Sequence, residues 1–340
     1  MKLRAFTLTL AALCIGLFAN AQTTLKQLPR SVQKELKELK YIPAGNYDLV
    51  SYNKTTFRLD TVTSSVRGFY ISAYEVTNDD WHVFHKSILA RDSKDEAMRY
   101  MPDTTSWIKA FPYSYNEPMT NMYFWHPGYD NYPVVGVTWN QAKEYCDWKS
   151  EQINKKLKEE GFTDFIVVLR MPTENEWMYV ANPDYKTHNE LLKSKSYKSN
   201  LVSYNGLIDK DGYQANFGPI TDTLDYMFKS FIDDGAFHTA NVNSYKPNVF
   251  GLYNIRGNVE EWVSDESTIP QTGGRYLQIM IPKTTEANTT LHSAKGGSWY
   301  DGPYYLSQKA SKSYPANTCS PITGFRLAMD IVEVKPAAGK

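Results

Sequence analysis

One short segment in the C-terminal half of the chain combines side-chain oxygens with a glycine turn. It runs from Asn254 to Glu261 and reads Asn-Ile-Arg-Gly-Asn-Val-Glu-Glu. Calcium binds about six to eight oxygens from carboxylates, amides and backbone carbonyls, and a tight turn can present several of them together. The segment therefore predicts a calcium site that uses the side chains of Asn254 and Glu261. The alternative interpretation is that Glu261 only caps a turn.

A second pair of oxygen-bearing residues, Asn216 and Asp234, lies earlier in the chain on either side of a loop. Both side chains are of the type that calcium accepts. Their spacing alone does not predict a metal site, so this pair is a candidate only.

Residue spacing gives little support to nucleophilic or zinc chemistry. Cys146 and Cys319 have no neighbouring His or basic residue that would activate a thiol. The chain has no HExxH motif and no Cys/His spacing typical of zinc. Cys146 lies in a helical pattern, and we expect it to be a buried small apolar residue, although pairing with Cys319 stays open.

Three helix starts are indicated by the same capping chemistry. In each, a Thr at the N-cap position precedes an acid or amide at the third helical residue, so that each side chain can bond the other's backbone N–H. The three segments are Thr77-Asn-Asp-Asp80, Thr138-Trp-Asn-Gln141 and Thr173-Glu-Asn-Glu176. The second helix is predicted to run to Lys158, and Gly161 ends it.

Two long stretches, 101–133 and 182–250, are too rich in Pro, Gly, Asn and Tyr for long regular elements. Such stretches need aromatic packing or bound cations to hold them in a compact domain. The composition supplies the first, with 25 Tyr, 15 Phe and 8 Trp. Lys plus Arg equal Asp plus Glu at 37 each, which argues against nucleic-acid binding.

The first 21 residues have the pattern of a secretory signal peptide. Lys2 and Arg4 precede an apolar run, and Ala19-Asn-Ala21 is a cleavage site. The run is shorter than the roughly 20 residues of a membrane span, and we expect no span elsewhere. A lipoprotein signal at Cys14 is the alternative, but Leu13 precedes it where a small residue is needed. The predicted organisation is a signal peptide (1–21), an N-terminal arm (22–40), one domain (41–332) and a tail (333–340). The arm is polar and Lys-rich, which is typical of a surface helix or a loose segment.

Seven motifs in order along the chain resemble the formylglycine-generating enzyme, or sulfatase-modifying factor, superfamily. They are YIPAGNY from 41, FYISAYEVTNDDW from 69, YPVVGVTWNQAKEYCDW from 132, RMPTENEW from 170, GLYNIRGNVEEW from 251, KGGSW from 295 and GFRLAMD from 324. The resemblance implies a single α+β domain related to C-type lectins, with little regular secondary structure and structural calcium in its loops. The implied ligands are Asn254 and Glu261 by side chain with Gly257 and Val259 by carbonyl, and Asn216 and Asp234 by side chain with Phe217 and Ala236 by carbonyl.

The chain departs from this superfamily where its oxidases bind copper. The resemblance implies that these oxidases bind copper through two Cys residues, five positions apart, just after the Gly-Gly-Ser turn. Soft thiolates are the ligands that Cu(I) requires. Here Asp301 and Leu306 stand at those positions. The His-rich domain of the related iron-dependent enzymes is also missing from the sequence. We therefore expect a protein that is not an enzyme and binds neither copper nor iron.

A narrower resemblance is to the non-catalytic gliding-motility proteins GldK and GldJ and their relative PorK. It rests on PDTTSW from 102, FPYSYNEPM from 111, YFWHPGYDNYPVVGV from 123 and GGSWYDGPYYL from 296. It implies an exported component of the type IX secretion or gliding machinery, located in the periplasm or held at the outer membrane through partner proteins. Those relatives are longer lipoproteins, so a soluble paralogue is also compatible with the sequence.

The alternative is an enzyme or small-ligand-binding protein that keeps the superfamily cleft with altered chemistry. Asp301, Tyr304 and Tyr305 would then be the polar lining of that cleft.

Overall fold

The computed structural model describes residues 25–53, 58–110, 121–181, 207–209, 212–218, 233–267 and 290–334. The signal-peptide prediction for residues 1–21, including Cys14, lies outside these residues. So does the tail after Val334.

The described residues contain helices and strands in a mixed order, which confirms the α+β class. The α-helices are α1 (Arg30–Glu35), α2 (Asn78–Arg91), α3 (Lys94–Met98), α4 (Ser106–Ala110), α5 (Trp139–Glu159) and α6 (Glu174–Ala181). The strands are β1 (Leu39–Ile42), β2 (Gly45–Asn53), β3 (Arg58–Val66), β4 (Phe69–Glu75), β5 (Phe165–Arg170), β6 (Ile208–Asp209), β7 (Gly212–Tyr213), β8 (Glu260–Ser267), β9 (Leu291–Lys295), β10 (Ser311–Pro315) and β11 (Thr323–Glu333).

Within the described residues, the main sheet has seven strands in the order β1-β4-β11-β8-β9-β10, with β5 paired to β11 as well. All pairs are antiparallel except β8 with β11, where Glu261 is opposite Gly324. The hairpin β2–β3 and the short pair β6–β7 form separate sheets. The arrangement places β8 beside both the last strand of the chain and β9, at the centre of the residues discussed below.

The three predicted helix starts are confirmed. Thr77 and Thr138 form full capping boxes at the starts of α2 and α5. At α6 the hydroxyl of Thr173 accepts the Glu176 N–H at 3.1 Å, and the Glu176 carboxylate accepts the Thr173 N–H at 2.8 Å. Gly161 follows α5 with a φ of 80°, as a helix-terminating glycine does. Within the described residues, no helix is both long and apolar enough to cross a bilayer.

Helix α5 also protects the outer edge of β5. The Asn154 side chain donates to the Val167 carbonyl at 2.7 Å and accepts the Val167 N–H at 2.8 Å. The Ser150 hydroxyl donates to the Leu169 carbonyl at 3.2 Å and accepts the Leu169 N–H at 2.8 Å. An exposed strand edge is a template for aggregation, and these two side chains occupy its backbone groups instead.

The predicted N-terminal arm contains a short helix in its described part, and that helix packs on the domain. Val32 and Leu36 are buried against Ile153 and Leu157 of α5. The boundary expected at residue 41 falls inside β1. The apolar residues of this segment recur at helical spacing and make the contact.

Aromatic side chains fill the interior between the short elements, as their number predicts. Trp81 stacks on Tyr145 with ring centroids 5.5 Å apart, and Phe84 meets both edge-on. Phe325 of β11 completes this cluster from the sheet. Such pairs contribute energy beyond area burial and can fix loops that lack backbone ladders.

Candidate functional site

The two predicted sets of calcium ligands meet in the folded chain. The Asn258 N–H donates to the Asn216 carbonyl at 2.8 Å, which holds the two segments together. Gly257 beside it has a φ of 81°, and a Cβ there would lie 2.1 Å from the same carbonyl oxygen. Only glycine permits this approach. The sequence could not place the two sets side by side, because their separation gives no register.

Asn258 links the two sets, and the sequence reasoning did not single it out. Its side-chain oxygen accepts the Ala240 N–H at 2.7 Å and the Asn216 amide at 3.2 Å, while its amide donates to Glu75 at 2.8 Å. Asn258 is fully buried with a φ of 64°. Its position directly after a turn Gly is the signal that could have identified it, since Asn tolerates this conformation better than most residues.

Glu261 is neutralised by an arginine on the neighbouring strand. Both of its carboxylate oxygens accept from Arg326, at 2.6 and 2.7 Å, and one also accepts from the Trp177 indole at 2.9 Å. The Glu261 and Arg326 side chains are 1% and 0% exposed. This two-point contact is the strongest ion-pair geometry available to a carboxylate. Glu261 therefore does more than cap a turn.

Glu75 adds a second carboxylate to this cluster without adding a second cation within the described residues. Asn254 donates to Glu75 at 3.2 Å through its amide nitrogen. Burial is the main reason that the pKa of Glu75 is raised to about 7, and the charge of Glu261 adds to the effect while Arg326 opposes it. Glu75, Glu261 and Arg326 together carry an excess of negative charge. The amide nitrogens of Asn254 and Asn258 donate to the two carboxylate oxygens of Glu75, so a cation bound there would have to displace these contacts.

In the second set, the Asp234 carboxylate organises the residues whose carbonyls are expected to bind calcium. It accepts the Phe217 N–H at 2.9 Å and the Ala236 N–H at 3.3 Å. The Asn216 amide nitrogen donates to the His238 carbonyl at 2.7 Å. In the described part of the chain, no three acidic, His or Cys side chains converge as a metal site. Amide and carbonyl oxygens would have to supply most ligands, and calcium binding at both sets stays a prediction.

Asp301 is buried in a second charge cluster. Its two oxygens lie 2.6 and 2.7 Å from Nζ of Lys312, and Glu260 lies 2.8 Å from the same nitrogen. Ser298 donates to Oδ2 of Asp301 through its N–H at 2.9 Å and its hydroxyl at 2.6 Å. The Glu260 side chain also accepts from Thr323 at 2.6 Å. Although burial opposes it, the two carboxylates raise the pKa of Lys312.

Leu306 and the two described cysteines offer no thiolate pair. Leu306 is fully buried in an apolar cluster with Phe217. Cys146 and Cys319 are free thiols, and burial raises the pKa of Cys319 to about 12 with help from Asp103. Burial also raises the pKa of Cys146, which confirms the expectation of a buried small residue on α5. Neither described cysteine is activated for metal binding or nucleophilic attack.

A narrow cavity with room for about one water molecule lies beside Trp107. Its lining residues are Pro102, Asp103, Thr104, Trp107, Asn121, Tyr123, Phe124 and Val135. Trp107 stacks on Trp299 at 5.9 Å, so the cavity is connected by one ring to the turn that carries Asp301. Tyr304, expected to line a cleft with Asp301, is 74% exposed. Asp301 itself is committed to Lys312.

The whole folded region matches one family. The sequence profile of the sulfatase-modifying factor enzyme 1-like domain matches residues 24–331. The chain belongs to this family. The matched region starts before α1, which agrees with the packing of the N-terminal segment in the domain.

Relatives within the sulfatase-modifying factor family differ in what they do. The formylglycine-generating enzyme of Thermomonospora curvata is 26% identical over 88% of this chain and 96% of its own length. The inactive C-alpha-formylglycine-generating enzyme 2 of Bos taurus is 23% identical, over 68% of this chain and 71% of its own. The chaperone protein LppX of Paenibacillus barcinonensis is 24% identical, over 81% and 84%. The family therefore includes an active enzyme, an inactive relative and a chaperone.

Proposed function

We propose that the protein is a non-catalytic member of the sulfatase-modifying factor family that acts by binding other proteins. The observation that carries this proposal is the use of Asp301 and Leu306 as structural residues. Asp301 is paired with a buried lysine and Leu306 fills an apolar core, so neither can bind copper. The inactive relative and the chaperone give the family a precedent for members without oxidase activity.

The partners that we propose are periplasmic or outer-membrane proteins of the type IX secretion or gliding machinery. Support comes from the sequence resemblance and from the signal-peptide pattern of residues 1–21. Exposed aromatic residues on the loops supply a contact surface: Trp125 is 56% exposed and Phe237 57%. Aromatic side chains of this kind are enriched where proteins bind one another. Neither nucleic acid nor a membrane span is part of the proposal.

A pull-down from the cell envelope tests the proposal. The tagged full-length chain is expressed in its own cells, and captured proteins are identified by mass spectrometry. We expect secretion or gliding components in the eluate, and we expect the double variant Trp125→Ala/Phe237→Ala to lose them. The matched control Ile166→Ala/Val168→Ala removes exposed apolar residues from β5 and should retain them. Equal capture by both variants, or no envelope partner at all, would contradict the proposal.

Export is tested separately at the N-terminus of the protein recovered from the periplasm. Cleavage after Ala21 should leave Gln22 or its cyclised form as the first residue. A lipid-modified Cys14 would show that the lipoprotein alternative is correct.

The second candidate function is small-ligand binding in the cavity beside Trp107. An aromatic wall formed by Trp107, Tyr123 and Phe124 next to polar Asp103 and Thr104 favours it only for a very small ligand, because the space between these residues holds about one water molecule. A small-molecule thermal-shift screen tests this candidate. A hit that raises the melting temperature of the wild type but not of Trp107→Leu would support binding in the cavity.

A further inference from the structure

A lysine, an aspartate and a glutamate lie in contact inside the protein, at a place where the proposed function needs no chemistry. Lys312 is on β10, Glu260 is on β8, and Asp301 lies in the turn after β9, which pairs with both strands. Their side chains are 3%, 1% and 8% exposed. Lys312 also lies 4.9 Å above the Tyr305 ring. The sheet thus holds an amine against a carboxyl group in a nearly dry, aromatic environment.

We propose that Lys312 and Asp301 become joined by an amide bond in the folded chain, with Glu260 relaying the proton. The bond would tie the turn that follows Gly296-Gly297 to β10. It makes residues 301 and 312 a self-formed modification site and needs no partner protein.

The reaction is a condensation that balances without any co-reactant. The neutral amine of Lys312 attacks Cγ of Asp301, the C–N bond forms and the bond from Cγ to Oδ1 breaks. The ammonium form of Lys312 holds three protons and the amide keeps one. The other two leave on Oδ1 as water. Glu260, in contact with Nζ, accepts the first of these protons before the attack and the second after it, and passes each to the departing oxygen.

Ser298 prepares the oxygen that stays. Its N–H and hydroxyl both donate to Oδ2 of Asp301, the atom that becomes the amide oxygen. Two donors on one oxygen stabilise the negative charge that it gains when Cγ becomes tetrahedral. Oδ1 has no such anchor from Ser298, and this asymmetry selects it as the leaving oxygen.

Burial supplies the driving force. Charges are costly in a dry interior, and the reaction turns an ammonium and a carboxylate into a neutral amide while expelling water. The fold holds Lys312 and Asp301 in contact, and such fixed positioning is the usual source of large effective concentrations. Because its two carboxylate neighbours favour the ammonium form of Lys312, the proton must pass within the cluster, and we expect the bond to form slowly after folding.

An exposed pair in the same chain shows why contact alone is insufficient. Lys109 lies 2.7 Å from Asp103, but the two side chains are 61% and 27% exposed. Water solvates both charges of such a pair, so conversion to a neutral amide gains no free energy from the removal of buried charge. Lys109 with Asp103 is therefore the internal control for Lys312 with Asp301.

Mass spectrometry of the purified full-length chain tests the bond. We expect the intact mass to be lower than the sequence mass by one water. After trypsin digestion, residues 296–309 should be joined to residues 310–326 with cleavage at Lys312 blocked, while Lys109 is cleaved normally. Peptide mapping is essential because Asp301 precedes Gly302, and a cyclic imide there would also lose water. That imide would leave 296–309 linear and Lys312 cleavable, which would overturn the proposal.

Two variants separate the bond from the ion pair. Asp301→Asn should form the same linked peptides with loss of ammonia in place of water. Glu260→Gln should give only linear peptides, although Lys312 keeps its contact with Asp301. Circular dichroism confirms that each variant is folded. A folded wild type with linear peptides, or a Glu260→Gln variant that is linked as fully as the wild type, would contradict the proposal.

Discussion

Two buried charge clusters lie beside β8 and differ in the cation at their centre. Successive residues of a strand point to opposite faces, so Glu260 and Glu261 serve different clusters. Glu261 pairs with Arg326, whereas Glu260 pairs with Lys312. Each cluster has a second carboxylate within the described residues. The two are thus alike in charge but not in chemistry.

The two cations differ in whether they can lose a proton to a neighbouring carboxylate. Arginine keeps its proton and offers a rigid fork, so it can only organise its neighbours. Its cluster includes amides and backbone carbonyls and is the one that we expect to accept calcium. Lysine can become a neutral amine, and its cluster is the one that we expect to remove charge by forming an amide. The same charge imbalance therefore predicts metal binding in one place and covalent closure in the other.

Breaking the arginine cluster should have the largest effect. Arg326→Leu leaves Glu75 and Glu261 buried without a cation, and removal of one partner from a buried pair costs about 3–5 kcal/mol. We expect this loss in the free energy of unfolding by urea denaturation, or failure to fold. Arg326→Lys keeps a charge but not the two-point contact, and should lose clearly less. An Arg326→Leu variant as stable as the wild type would show that the cluster is not the centre of the fold.

A substitution in the turn that brings the two ligand sets together should have the second-largest effect on stability. Gly257→Ala adds a Cβ at a positive φ and against the Asn216 carbonyl, and we expect a cost of about 3 kcal/mol, the top of the range for a strained residue. Gly161 is the matched control, because it has a similar φ but no heavy atom within 4 Å of an added Cβ. Gly161→Ala should cost clearly less in the same denaturation experiment. Equal losses would mean that backbone strain alone, without the close contact, accounts for both.

The sequence predicted local features well, because each depends on neighbours in the chain. The three Thr caps, the end of α5 at Gly161 and the burial of Cys146 all follow from short-range patterns. The family resemblance supplied the α+β fold. The packing of the N-terminal segment was not predicted, because its contact is with α5, more than a hundred residues away, and composition cannot show that contact.

The candidate site was only half visible in the sequence for the same reason. Glu261 was identified, but its partner Arg326 lies on another strand and was not. Asp301 was identified as a substituted position, yet Lys312 and Glu260 were missed, since strand pairing alone brings them together. A buried lysine gives no signal in a sequence where lysines are mostly on the surface.

Removal of calcium should reduce the stability of the protein by an intermediate amount. A ligand that binds only the folded state stabilises it by about 2.7 kcal/mol at a hundredfold excess over its Kd. We expect a chelator to lower the melting temperature, and Glu261→Gln to reduce that response by removing a negative ligand. Asp234→Asn should also reduce it.

Glu260→Gln is the control for calcium, because it removes a carboxylate of equal charge from the lysine cluster. Its response to chelator should match that of the wild type. An unchanged melting curve of the wild type in excess chelator, with no calcium by elemental analysis, would remove the proposed role of the arginine cluster and leave Glu261 a structural ion pair.

The smallest effect that we expect concerns His292 on β9, the strand that joins β8 to the lysine cluster. It is buried and stacked on Trp139 with ring centroids 3.7 Å apart, and burial lowers its pKa below the usual value of 6.5. Its neutral form is thus favoured in the folded state, and its contribution is fully present above pH 6.5 and lost as pH falls through and below that value. Glu75 and Glu260 have the opposite effect on stability as pH falls. Burial raises the pKa of both carboxylates, so their protonation favours the folded state. Melting temperatures from pH 8 to 5 should therefore fall less steeply in His292→Phe than in the wild type. Parallel curves would show that protonation of His292 does not contribute to the response to acid.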